Sequence, residues 1–172
     1  MALRFFPWLV FAAALILVAV FYTSLPSDIV IARGLFGGSD IVAPKTLFTA
    51  FRVVLIDLLC AFAIEVMRRR PVSPKIQPDY QTFWQVLLFA VAFKCLFQTL
   101  ELVSPADQAS IYFYVTVAVV ILGIALAAFI GRKIFSAFDR EDWKLNGSGQ
   151  LLLAGLLIGY LAIAIGPVIF FR

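Results

Sequence analysis

The sequence contains no histidine, only two cysteines and few charged residues. Without histidine, the chain lacks the most common general base, the most common metal ligand and the usual activating partner of a serine or cysteine nucleophile. Two separated cysteines with scattered acidic residues do not supply the three or more ligands of a zinc site. We therefore expect no catalytic residues, no bound metal and no other cofactor.

The scarcity of charge has a counterpart in a very high apolar content. Charged residues make up 14% of the 172 residues, whereas hydrophobic residues make up 63% and the mean hydropathy is +1.03. This composition predicts an integral membrane protein, for which the lipid bilayer is the first partner. Five continuous apolar runs approach the 20 residues that cross about 30 Å of hydrocarbon as a helix. We predict a single all-α domain, residues 1–172, that is a bundle of five transmembrane helices at about 5–24, 47–67, 82–103, 110–131 and 150–171.

The basic residues flank the apolar runs and predict the orientation of the chain. They gather in the second and fourth loops, whereas the third loop, 104–109, has none. Their positions are Arg68, Arg69, Arg70 and Lys75, then Arg132, Lys133, Arg140 and Lys144. The positive-inside rule places the N-terminus inside and the C-terminus outside, with an outer loop at 25–46 and an inner amphipathic loop at 132–149. The net charge of +4 therefore comes from residues that orient the helices in the membrane, and it does not indicate a nucleic-acid partner.

Two opposite charges lie within adjacent apolar runs, Asp57 in the second and Lys94 in the third. Helical rise places both roughly 13 to 15 Å below the outer boundary. A lone ionised side chain near the bilayer centre costs about 2.5 to 3.5 kcal/mol on insertion scales, so we predict that the two meet inside the bundle. Gln98 and Glu101 follow Lys94 on one helix face, and Arg52 lies nearer the outside. We call these five residues the polar seam.

Two interpretations of the polar seam stay open. It either fixes the register of helices two and three, or it accepts a partner's polar segment, a lipid headgroup or a proton. Glu65, one turn from Arg68 and Arg69, is predicted to be a surface residue at the inner boundary. In the fifth run, Gly155, Gly159 and Gly166 lie on one nearly bare face that favours close helix packing. Cys60 and Cys95 lie at depths about 7 Å apart, so we predict free thiols.

The outer loop resembles the SdpI-like family of bacterial membrane proteins, which includes toxin-immunity proteins. The residues that match in type and spacing are Leu25, Pro26, Ile29, Gly37, Asp40 and Lys45. Val30 and Ala32 stand where the family has a proline and a histidine. The resemblance implies a multi-pass protein of the bacterial cytoplasmic membrane that binds a peptide or membrane partner on its outer face. An immunity, sensing or accessory role, without enzymatic activity, follows from it.

Two other functions remain open from the sequence. A small transporter or proton-coupled carrier would use Asp57 and Lys94 as its intramembrane charges. A structural subunit of a larger membrane complex would dock through the bare glycine face of the fifth run.

Overall fold

The computed structural model describes residues 4–32 and 40–135, together with the isolated positions 155 and 158. Within these residues the chain forms four α-helices and one β-hairpin. Helix α1 (Phe6–Phe21) continues into a 3₁₀ turn (Tyr22–Ser24), and the hairpin strands are β1 (Asp28–Ala32) and β2 (Ile41–Pro44). The remaining helices are α2 (Leu47–Arg68), α3 (Gln77–Val103) and α4 (Ala106–Phe135).

All four helices are long and apolar enough to cross a membrane, which is the property of a multi-pass helical membrane protein. The predicted fifth helix, 150–171, lies outside the described residues except at two positions. Gly155 is helical and exposed, and a Cβ added there would meet no described atom within 4 Å. Gly159 and Gly166 belong to the part of the chain that is not described.

Helices α3 and α4 are longer than the sequence predicted. Helix α3 begins at Gln77 and not at 82, with Pro78 and Asp79 in its first turn. Proline is well suited to that turn because its missing N–H has no intrahelical partner there. Helix α4 spans Ala106–Phe135 instead of 110–131, so the predicted third loop shrinks to Ser104 and Pro105. The rest of the predicted inner loop, beyond residue 135, is not described.

Helix α3 is the central helix and packs against the other three. Alanines at 0% exposure on three helices, Ala14, Ala50, Ala61 and Ala92, let the backbones of α1, α2 and α3 approach closely. Phe11 and Leu88 fill the larger spaces between them. Between α3 and α4, a Cβ added at Gly123 would collide with the side chain of Ala90. The helix contacts therefore depend on small side chains at particular positions.

The outer loop contains a β-hairpin that the sequence analysis did not predict. Strands β1 and β2 are antiparallel, with Val30 opposite Val42 and a bulge between Val30 and Ala32. Ile29, Ile31 and Ala43 are buried, whereas Val30 and Val42 are exposed, which is the alternation of a half-buried strand. The prediction assigned no secondary structure to this loop, and the alternation of buried and exposed side chains becomes visible only in the fold. We call the end of the bundle that carries the hairpin the outer end, following the predicted orientation.

Candidate functional site

The predicted contact between Asp57 and Lys94 is present. Asp57 lies ten residues after the start of α2 and Lys94 nine residues before the end of α3. Because the two helices are antiparallel neighbours, both side chains reach the same level, and Lys94 Nζ donates to Asp57 Oδ1 at 2.7 Å. The Asp57 side chain is 3% exposed and that of Lys94 is 29% exposed. The carboxylate is therefore held inside the bundle, while the ammonium group reaches it from the margin.

Lys94 also binds Gln98, one turn further along α3. Its Nζ donates to Gln98 Oε1 at 2.8 Å, so a single ammonium group joins a buried carboxylate to a neutral amide. The second carboxylate oxygen, Asp57 Oδ2, is buried and makes no hydrogen bond with the described residues. The hydroxyl group of Thr99, also on α3, is likewise buried and makes no hydrogen bond with the described residues. The pair thus retains an acceptor that a proton or an incoming donor would satisfy.

Arg52 connects the polar seam to the hairpin. It is 7% exposed on the first turns of α2, and its Nη1 donates to the backbone carbonyl of Ile31 in β1 at 2.7 Å. A charge-assisted hydrogen bond of this length is among the stronger polar contacts in a protein. Glu101 is half-buried near the outer end of α3. Arg52 therefore holds β1 on α2, a role that the sequence did not predict for this residue.

Lys45 fixes the base of the hairpin to the end of α1. Its Nζ donates to the carbonyl of Leu25 at 2.7 Å and lies 5.7 Å from the centre of the Tyr22 ring. Its backbone N–H donates to the carbonyl of Ser27 at 2.7 Å. Leu25 is buried and Lys45 is half-buried. Packing and the hydrogen bond between them therefore fix the positions of both residues.

The other outer-loop residues singled out in the sequence have different positions. Pro26 and Asp40 are exposed, at the two ends of the hairpin. Gly37 lies outside the described residues. The structure thus brings Leu25 and Lys45 together and leaves Asp40 accessible at the start of β2.

The exposed face of the hairpin is apolar at its centre. Val30 is 42% exposed and Val42 is 49% exposed, and the two are cross-strand partners. Within the described residues each strand pairs with one other strand, so no third strand covers either edge of the sheet. The consecutive β-branched residues Ile29, Val30 and Ile31, followed by Ile41 and Val42, were the sequence signal that favours strands here.

Glu65 is not the surface residue that we predicted, because it is only 8% exposed. It accepts hydrogen bonds from Arg68 Nε at 2.8 Å and from Arg69 Nε at 2.6 Å. The prediction considered only its proximity to the membrane boundary and overlooked the cover that neighbouring helices provide. Cys60 and Cys95 are both free thiols.

The fold and the seam define a class, a multi-pass helical membrane protein with a β-hairpin at one end and a buried ion pair between two of its helices. No known family model, curated protein or solved structure matches this chain.

Proposed function

We propose that this chain is a non-enzymatic, SdpI-like protein of the bacterial cytoplasmic membrane that binds a peptide or membrane partner on its outer face. The contact surface would be the outer hairpin, with the polar seam beneath it. An immunity, sensing or accessory role is consistent with such a surface. The observation that carries the proposal is the exposed Val30 and Val42 pair on a hairpin that Arg52 and Lys45 anchor.

The hairpin is suited to binding because it is anchored before any partner arrives. Arg52 bonds the backbone of β1, and Lys45 bonds the segment that precedes it. A preorganised surface loses less conformational entropy on binding than a free loop does. Open strand edges accept an extended peptide through backbone hydrogen bonds, while side chains such as Val30 and Val42 supply apolar contact.

Site-specific photo-cross-linking in living cells tests this proposal. A photoreactive phenylalanine derivative at Val42 is expected to capture a partner, whereas the same group at Ile111 is not. Ile111 is 59% exposed near the outer end of α4 and is therefore a matched apolar control away from the hairpin. Lys45→Met is expected to lower the yield at Val42 because it releases the hairpin base. Equal yields at Val42 and Ile111 would contradict the proposal.

A cellular assay addresses the immunity role separately. Substitution of Asp40 or Lys45 is expected to sensitise cells to the toxic partner at unchanged protein abundance. Lys75→Met, in the loop between α2 and α3, provides the control because Lys75 is exposed and distant from the hairpin. Unchanged resistance in both variants would count against immunity while leaving the cross-linking result to decide the binding role.

A proton-coupled carrier is the second candidate, and the orphaned Asp57 Oδ2 favours it. A buried carboxylate with an unfilled acceptor oxygen is a suitable proton acceptor within a membrane protein. The test is proton flux into liposomes that contain the purified chain. Asp57→Asn should abolish the flux while the protein stays folded, and Lys75→Met should preserve it. Flux that is absent from the parent protein, or that persists in Asp57→Asn, would remove this candidate.

A further inference from the structure

A cavity of about 260 Å³ lies at the inner end of the bundle, opposite the hairpin. It is bounded by the residues that precede and begin α1, the last turn of α2 and the first turns of α3. Three arginines line it, Arg4, Arg68 and Arg69, and Trp8 forms part of its apolar wall. Neither the polar seam nor the hairpin shares a residue with this cavity.

The cavity carries excess positive charge. Its three guanidinium groups face one carboxylate, that of Glu65, so the formal charge of these four side chains is 3 − 1 = +2. Glu65 binds Arg68 through two hydrogen bonds, from Nε at 2.8 Å and from Nη2 at 2.9 Å. Such a bidentate pair holds the guanidinium plane in one orientation. Gln85 Oε1 accepts a further hydrogen bond from Arg68 Nη1 at 3.1 Å, which also restrains the guanidinium group.

The other two arginines keep most of their donors available. A guanidinium group has five N–H donors. In the described part of the chain, Arg69 bonds Glu65 through Nε, and Arg4 bonds Gln81 through Nη2 at 3.3 Å. The side chain of Arg69 is 78% exposed. Arginine prefers phosphate and carboxylate groups because its fork matches two of their oxygens.

The depth of the cavity indicates which anion reaches it. Helix α1 begins at Phe6 and α2 ends at Arg68, so the arginines lie where the helices leave the hydrocarbon. Phospholipid phosphates occupy that level, and the apolar wall of Trp8 and Phe5 would adjoin the glycerol and upper acyl carbons. Basic pockets between membrane helices on this side are suited to anionic headgroups.

We propose that this cavity binds the phosphate group of an anionic phospholipid in the inner leaflet. Arg4 and Arg69 contact the phosphate oxygens, and Glu65 holds Arg68 as the fixed rear wall. The inference is independent of the outer partner, because it concerns the opposite end of the bundle. A soluble phosphate ester has the same chemistry, and the experiment separates the two sources.

The experiment measures lipid retention by native mass spectrometry after release from nanodiscs that contain equal amounts of phosphatidylglycerol and phosphatidylcholine. The parent protein should retain phosphatidylglycerol preferentially. The double variant Arg4→Gln/Arg69→Gln should lose this preference by roughly tenfold or more, since it removes two cationic contacts. Both side chains are exposed, so the substitutions leave the core intact.

The matched control is Arg132→Gln/Lys133→Gln, which removes two exposed charges from the inner end of α4, outside the cavity. It should keep the preference. In phosphatidylcholine nanodiscs, glycerol 3-phosphate is then added as a soluble probe. Binding of the probe that is lost in Arg4→Gln/Arg69→Gln would assign the site to a soluble ester. Equal retention in the cavity variant and the parent, or equal loss in both double variants, would overturn the proposal.

Discussion

Removing the ammonium group of the buried ion pair should destabilise the protein more than removing its carboxylate. Lys94→Met deletes the cation and leaves Asp57, 3% exposed, without its partner at 2.7 Å. Breaking a buried pair by removing one partner costs about 3 to 5 kcal/mol. Asp57→Leu should cost less, because Lys94 is 29% exposed and keeps its hydrogen bond to Gln98. Replacing both charges by apolar side chains is often neutral.

Thermal unfolding in a mild detergent measures these differences. For a chain of this length, 1 kcal/mol shifts Tm by roughly 2 to 4 °C, so Lys94→Met should lower Tm by roughly 6 to 20 °C. Asp57→Leu/Lys94→Met should regain most of that loss. Lys75→Met is the control for losing a lysine at an exposed position and should leave Tm unchanged. A parent-like Tm for Lys94→Met, or a double variant no more stable than Lys94→Met, would refute the reasoning.

Two further predictions concern the helices themselves. Gly123→Val should destabilise the contact between α3 and α4 by about 1 to 3 kcal/mol, because even a Cβ collides with Ala90 there. Ala125→Val, on the exposed side of α4, is the control and should be neutral. Similar Tm values for the two variants would contradict the close approach of the helices. Thr46→Ala should cost about 0.5 to 2 kcal/mol by removing the N-cap of α2, whose hydroxyl accepts the N–H of Thr49 at 3.1 Å. Thr82→Ala, which changes an exposed threonine in the second turn of α3, is its control, and an equal loss in both would show that the cap contributes nothing specific.

The mid-membrane contact could be predicted from the sequence because two simple quantities determine it. Helical rise fixes the depth of Asp57 and Lys94, and the cost of a lone charge in hydrocarbon requires that they meet. Gln98 follows from its spacing of four residues on the same helix. These relations are local or depend on depth alone.

The rest of the site depends on packing that the sequence does not show. Arg52 bonds Ile31 only because the outer loop folds back as a hairpin, and the prediction assigned no strands to that loop. Glu65 is buried because the start of α1 and the end of α2 come together around it, which no spacing within α2 reveals. The extra turns of α3 and α4 lie in polar segments, whereas the prediction followed apolar residues alone.

Both proposed binding surfaces require the hairpin to lie on the outer side of the membrane, and cysteine accessibility in intact cells measures this directly. The native Cys95 is 0% exposed and Cys60 is half-buried within α2, so the parent protein should show little background. A membrane-impermeant maleimide should label Val30→Cys from outside, whereas Lys75→Cys should be labelled only after the cells are permeabilised. Labelling of Lys75→Cys in intact cells, with Val30→Cys protected, would contradict both the outer contact surface and the inner phosphate site.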